Sequence, residues 1–434
     1  MARELNIRIS ELSLLVIWNI LDHLTHRAVT IIGRRGMHNN DPENPALHPA
    51  TLALSETAST ARPARYIGNE VFRRPAFNGN HPLNIMRHST VFDLVRTLDW
   101  LPGDAFRESS PADESTLLRF HDRDYVEALR EADRTGRVTP EVRKRYHIGT
   151  MANPLFPNLY LRARTAVGGS ILAADLACEG LVAFHPSGGT HHGRPDRASG
   201  FCYFNDPVFA LLRLMENGKR RILYVDLDAH HGDGVENAFL EEDRVTTISI
   251  HQENCWPYSG NTGEFPGRAI YNLPVPAEFN DSEFSYLMET AVLPFARQLE
   301  PDALVLCCGA DCLAGDPLSK MRLSNVALWQ AVEQFVSMNT ATVILGGGGY
   351  NPWTVARYWA GLWGCLNRFD IRQQLPDAAV EILTGLECDL VDDEDIEEAW
   401  TTSLADSPNE GNIRDSVKSI AETLSATGVM NDVA

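Results

Sequence analysis

Residues 222–234 read Ile-Leu-Tyr-Val-Asp-Leu-Asp-Ala-His-His-Gly-Asp-Gly, an unbroken apolar run that ends in acids and imidazoles. An apolar run without alternation fits a strand covered on both faces, which calls for a parallel sheet between helical layers. In extended chain Asp226, Asp228 and His230 would point the same way. Asp228 and His230 offer one carboxylate oxygen and one imidazole nitrogen, ligands suited to a divalent ion such as zinc. Gly232 and Gly234 then let the backbone turn away from the strand end. The plainer alternative is a hydrogen-bonded Asp-His pair closing a strand. Two acids and two histidines behind one apolar run favour a metal or catalytic role over it.

Other segments repeat the pattern. Residues 303–311, Ala-Leu-Val-Leu-Cys-Cys-Gly-Ala-Asp, carry their only charge at the end. Alone, Asp311 would read as a helix cap. With Asp228 and His230 it completes a three-ligand set with an open position, as catalytic rather than structural zinc requires. Residues 181–193 run from apolar Leu-Val-Ala-Phe through Gly188 and Gly189 to His191 and His192. Histidine titrates nearest neutrality, so such a pair can divide base and acid duties. Residues 342–350 end in four glycines and Tyr350. A tight turn, a phosphate cradle or a flexible support for Tyr350 would each use them, but no Lys-Ser/Thr ending follows, so the tyrosine support is preferred.

These strands alternate with helical stretches at 160–177 and 325–338, which predicts an α/β design with a parallel sheet and a site beyond the carboxyl ends of its strands. With 434 residues and 44% hydrophobic content the chain can bury a large core. One catalytic domain is expected over 61–375, between an N-terminal extension (1–60) and an acidic tail (376–434) that is partly helical or flexible. The formal net charge of −20 disfavours direct binding to DNA or RNA and favours cationic partners, though solubility alone would also use it. Eight cysteines without metal-ligand or redox spacing read as reduced thiols of a cytoplasmic protein. The apolar stretch 12–20 is too short to span a membrane and lacks a signal-peptide cleavage pattern, so an amphipathic helix is expected there.

Residues of about 66 to 370 resemble the zinc-dependent histone deacetylases, in particular their bacterial acetoin-utilisation branch. The resemblance rests on Gly188 to His192, Ser199 to Asp206, Tyr224 to Val235, Gly309 to Pro317 and Leu345 to Tyr350, which occur in the family's order. Thr190 and Gly193 depart from it, standing where the family more often has Leu and Ala. The resemblance implies a single-domain arginase/deacetylase-like fold, with a central parallel sheet flanked by helices on both faces. It implies one zinc per chain on Asp228, His230 and Asp311, with His191 and His192 moving protons and His192 acting on the attacking water. Asp226 and Asp233 would stand behind His191 and His192, and Tyr350 would donate to the oxyanion. Gly200 and Phe201 would line the substrate tunnel, Leu318 would sit at its rim, and Arg87 would lie near an inner acetate-exit cavity. A structural potassium ion would use Asp226, Asp228, His230 and Ser249.

The function so implied is removal of acetyl or another short acyl group from lysine side chains of proteins. An acetylpolyamine or other small amide substrate is the first alternative, and a non-catalytic acyl-lysine binding module the second. Binding modules usually lose a ligand, a histidine or the tyrosine, and none is missing here. A binuclear ureohydrolase would need a further carboxylate at Gly232 and another near Asp311, where Gly309, Cys312 and Leu313 stand. The expected partner is an acyl-lysine protein or a small acylated amine, without direct nucleic-acid or membrane binding; self-association is left open.

Overall fold

The structure is a computed structural model that describes residues 62–77 and 81–430, and side chains to 426. The N-terminal extension and the helix expected at 12–20 lie outside the described residues. The rest is built on an eight-stranded, wholly parallel sheet: β1 (Ala64–Gly68), β2 (Phe106–Glu108), β3 (Val182–His185), β4 (Ile222–Asp226), β5 (Val245–Gln252), β6 (Ile270–Val275), β7 (Ala303–Cys307) and β8 (Ala341–Leu345). Their spatial order is β2-β1-β3-β8-β7-β4-β5-β6. The chain leaves β3 and returns at β4 with β8 and β7 between them. Such a switch in strand order opens a crevice beyond the carboxyl ends.

The strands are apolar on both faces because both faces are covered. Leu223, Val225, Leu304, Leu306 and Ile344 join one buried cluster. Their alternating neighbours Ile222, Tyr224, Val305 and Val343 join the other. The first cluster takes in α1 (Arg87–Thr97), α5 (Asn325–Val336) and α6 (Pro352–Leu366), with Trp329, Trp359 and Trp363 buried in it. The second takes in α2 (Leu159–Cys178) and α3 (Asp206–Glu216) through residues such as Ala173, Leu176, Val208 and Leu211. Fully burying one such Leu or Val contributes about 1.5–3 kcal/mol. Among the described residues no helix is long and apolar enough to cross a membrane.

Residue 375 does not mark an end to the packed core. Helix α7 (Asp415–Met430) buries Val417, Ala421 and Leu424, one face at helical spacing, in the first cluster. Arg414, just before it, forks onto Glu283 with two bonds of 2.6 Å. Glu283 belongs to the capping box of α4 (Asp281–Leu287) and is fully buried. The acidic run at 392–395 forms an exposed turn of 3₁₀ helix.

The register explains why distant segments meet. Asp226 pairs with Cys307, Cys307 with Leu345, and Leu345 with His185. Four adjacent strands therefore end on one line, and the four loops that leave them carry the acids, histidines, glycines and tyrosine singled out from the sequence.

Candidate active site

Asp228 and His230 lie in the turns after β4, and Asp311 in the loop after β7. The potential ligand atoms of the three lie within 4.8 Å of one another. His230 Nδ1 is 2.9 Å from Asp311 Oδ2 and 3.3 Å from Asp228 Oδ1. Backbone amides fix the acids: Ala229 donates to Asp311 Oδ1 (2.9 Å), and His230 and Gly348 donate to the two oxygens of Asp228 (2.9 and 2.6 Å). Both acids are buried. Burial and the neighbouring Asp228 raise the Asp311 pKa. Burial opposes the His230 imidazolium, but Cys255, Asp311 and Asp228 outweigh it and raise its pKa well above the usual value. The cluster thus holds excess negative charge that a cation would relieve, and two oxygens with one nitrogen fit zinc.

Period-two alternation is not what gathers these ligands. It stops with β4 at Asp226, whose carboxylate accepts from the Tyr224 hydroxyl at 2.6 Å and contacts His191 Nδ1 at 2.7 Å. His191, Asp226 and Cys307 also form a group with ligand atoms close together. Burial holds the Cys307 thiol in its protonated form, and the His191–Asp226 contact is a hydrogen bond, so this group supports His191. Ser249 is the register partner of Asp226 across β5, with its hydroxyl 2.9 Å from His251 Nδ1.

The second histidine has its own acid, Asp233 Oδ1, at 2.8 Å from His192 Nδ1. Arg194 binds the other oxygen of Asp233. The two imidazole centroids are 3.9 Å apart, yet their environments separate them. Burial disfavours the His191 imidazolium, but Asp226 and Asp228 prevail and bring its pKa to about 9. Burial, aided by the charge on His191, takes His192 down to about 4 against the pull of Asp233.

Tyr350 sits with its ring centroid 6.4 Å from that of His230 and 5.8 Å from that of Phe201. Burial, then Asp311, raises its pKa well above the usual value, so the phenol keeps its proton. Its amide donates to Asp316 Oδ2 at 2.7 Å. The glycines before it serve close approach. A Cβ on Gly348 would lie 2.0 Å from Asp311 Oδ2, and one on Gly346 2.1 Å from the Pro186 carbonyl oxygen. Gly348→Ala is therefore expected to push Asp311 out of place and weaken zinc binding by tenfold or more, the scale on which altering a ligand's supports acts. Zinc titration against a competing chelator checks it, and unchanged affinity would show that the loop yields.

A cavity of about 110 Å³ reaches this centre, lined by Asp228, His191, His192, Phe201 and Tyr350 and also by Phe72 and Arg162. Gly200 and Phe201 have positive φ, 51° and 67°, and the Phe201 amide donates to Asn153 Oδ1 at 3.0 Å. Arg87 lines the same cavity and donates to the Gly347 and Gly349 carbonyls at 2.9 and 3.3 Å. Leu318, expected at the tunnel rim, lies in the loop after β7 that carries Asp316. It is buried at 7% exposure, its amide is tied to Asp316 Oδ1, and it is not among the residues lining the cavity.

Sequence reasoning missed Trp256, Arg194 and Asp316. Trp256 stands edge-on to His192 with centroids 4.5 Å apart, and a Cβ on Gly200 would collide with its ring. Nothing local marks it, because its loop follows β5 and carries no recurring motif. Arg194, two residues after His192, was the more legible signal.

A parallel α/β sheet with a buried Asp-His-Asp cluster, two acid-backed histidines and a tyrosine at its strand ends has the residues that a hydrolytic metal centre needs. Residues 81–366 match the Histone deacetylase domain family. The chain is 30% identical to the acetoin utilization protein AcuC of Bacillus subtilis over 331 residues, 73% of this chain and 85% of that protein. It is 36% identical to histone deacetylase 19 of Arabidopsis thaliana over 69% of this chain and 61% of that protein. A crystal structure of a histone deacetylase homologue from Aquifex aeolicus superposes with a TM-score of 0.80 at 34% identity, covering 84% of this chain and all of the other; a complex of such a homologue with SAHA gives 0.79. The chain belongs to the histone deacetylase family and is a deacetylase.

Proposed function

We propose that this deacetylase removes acetyl or another short acyl group from lysine side chains of proteins, using one zinc on Asp228, His230 and Asp311. The observation that carries the reading is one cavity lined by Asp228 of that buried triad, two differently poised histidines and Tyr350. Zinc, when bound, supplies a water acidic enough to ionise near neutral pH and polarises the acyl carbonyl.

The remaining work falls to the chain. His192, held neutral by burial, takes the water's proton on Nε2 while Nδ1 donates to Asp233; the same ring then protonates the departing lysine amine. Arg194 keeps Asp233 ionised and in place. His191, protonated against Asp226, adds positive charge beside the reacting carbonyl. Tyr350, itself buried, donates its hydroxyl to the developing oxyanion. Phe201 walls the path of the lysine's methylene stem, and Trp256 packs edge-on against His192. The gathering of Asp226, Asp228, His230 and Ser249 around the end of β4 supports a structural potassium there as well.

A peptide is favoured over a polyamine because the loops at the mouth present apolar surface. Met151 is 61% exposed and Tyr258 67% exposed, in the loops that carry Asn153 and Trp256. These side chains offer no partner to a second ammonium, and the exposed Glu253 at the start of the Trp256 loop is the acid that a polyamine would have to use. Turnover of acetyl-lysine peptides and acetylpolyamines by the same zinc-assayed preparation tests this, with kcat/KM expected to be tenfold or more higher for the peptides. The opposite ratio would establish the small-amine alternative, and binding without turnover the non-catalytic one.

A further inference from the structure

The match to the histone deacetylase family ends at residue 366, yet the chain after it folds back onto the catalytic loops. A helix at Asp377–Thr384 leads to Cys388 and then to a helical turn at Glu398–Thr402. Trp400, in that turn, is buried and stacks on Trp353 of α6, with ring centroids 6.2 Å apart and planes at 26°. The Trp353 indole N–H donates to the Leu383 carbonyl at 2.9 Å. Two fully buried polar side chains hold the end of the segment down. Arg357 donates from Nε to the Ser403 carbonyl and pairs with Asp406, both at 2.6 Å. Asn325 donates from its side chain to the Leu404 carbonyl at 2.8 Å and exchanges two bonds of 3.0 Å with Asp406.

What this anchored segment touches is the backbone around Tyr350. A Cβ on Gly315 would come within 2.7 Å of Trp400 Cζ2 and 2.8 Å of Cη2, so the far edge of the indole lies directly against that glycine. Gly315 has a φ of 88°, open to glycine, and its carbonyl accepts from Asn351 Nδ2 at 3.0 Å. Asn351 follows Tyr350 and caps α6 through its side chain. Asp316 follows Gly315 and accepts the Tyr350 amide. The Cys388 thiol stands 3.6 Å from the Tyr350 carbonyl oxygen. Four glycines precede Tyr350 and present no side chains of their own, so side chains from elsewhere fix its backbone: Arg87 at the Gly349 carbonyl, Asp316 at the amide and Cys388 at the carbonyl. Neither Trp400 nor Cys388 lines the cavity.

Resting on the oxyanion role given to Tyr350 above, we propose that the segment from Leu383 to Asp406 buttresses the Tyr350 loop, and that Trp400 is a positioning residue which sets the reach of the phenol through Gly315 and Asp316. The hydroxyl is the far end of a long side chain, so a small rotation of the backbone becomes a large displacement at the oxygen. A misplacement of about 1 Å costs roughly 10²-fold in rate.

The test measures kcat, KM and zinc content with an acetyl-lysine peptide for Trp400→Phe and Trp400→Leu, each in the wild-type and in the Tyr350→Phe background. Phenylalanine keeps a ring on Trp353 and lacks the edge that abuts Gly315, whereas leucine removes both. The expected result is a fall in kcat of about 10-fold for Trp400→Phe and more for Trp400→Leu, with KM and zinc content unchanged. Neither substitution should lower kcat further in Tyr350→Phe, because displacing a hydroxyl that is already gone costs nothing. A merely structural tryptophan would lower kcat by the same factor in both backgrounds. Thermal melting establishes that each variant is folded at the assay temperature, and two replacements of different shape keep the comparison available if one does not fold. Equal losses in the two backgrounds, an unchanged kcat in a folded variant, or a loss carried by KM or by zinc overturns the proposal and leaves the deacylase reading intact. Near-normal kcat in Tyr350→Phe alone removes the oxyanion role and the buttress with it. Failure of the wild type to turn over the peptide counts against the deacylase reading itself.

Discussion

Asp311→Ala is expected to empty the metal site and take deacylation down to background, a fall of about 10³-fold or more. Zinc supplies several kcal/mol of transition-state stabilisation, and each 1.36 kcal/mol is a factor of ten. Three protein ligands leave little redundancy, and removing this one also strands the Ala229 amide that now donates to Asp311. Asp228 and His230 would remain beside each other, their contact at 3.3 Å no longer bridged by a second acid. Elemental analysis of the purified protein should show about one zinc per chain in the wild type and far less in the variant, with turnover lost in parallel. A variant that keeps both metal and activity would remove Asp311 from the ligand set, and two ions per wild-type chain would reopen a binuclear centre.

The legible part of this protein is the part built from strand ends. Each of β3, β4, β7 and β8 is an apolar run followed by its chemistry, and a run without alternation already says that both faces are covered. Position along the sheet is harder to read. That Asp226, Cys307, Leu345 and His185 lie in register follows from pairing between strands more than 100 residues apart in places, which no local pattern encodes. Loops hide more. Leu318 reads as a rim residue by its position after Gly-Asp-Pro, while the hydrogen bonds from the Leu318 and Tyr350 amides to Asp316 that fix its loop leave no mark in the sequence. Trp256 reaches His192 only because its loop folds back over Gly200.

The glycines and the tail show two further limits. Four successive glycines signal a constraint, but whether it is flexibility or close approach depends on what lies opposite, and here that is Asp228 and Asp311. The acidic tail misleads through composition. Its charges at 392–395 stay exposed, while Val417, Ala421 and Leu424 supply a buried stripe and Arg414 an ion pair to a fully buried acid. Arg162 was hidden for a related reason. An arginine in the first turns of a helix usually reads as a solvated residue, and only the course of the chain through Phe72 and Val71 encloses it.

Tyr350→Phe is expected to lower turnover of an acetylated peptide by roughly 10²-fold or more while zinc stays bound, because one oxyanion donor is lost and no ligand is touched. The ring should stay in place, since its backbone is held by Asp316 and its faces by Phe201 and His230. The loss should therefore appear mainly in kcat. His192→Ala should be at least as damaging, for a different reason: it removes the proton acceptor and leaves Asp233 paired only with Arg194. The two losses should not multiply in the double variant, because proton transfer and oxyanion stabilisation act on one transition state and groups acting as a unit are far from additive. Zinc content and kcat for the four proteins decide the matter. Near-normal kcat in Tyr350→Phe with full zinc would move the oxyanion donor elsewhere, and His191, whose raised pKa keeps it a cation beside Asp228, would be the group to test next.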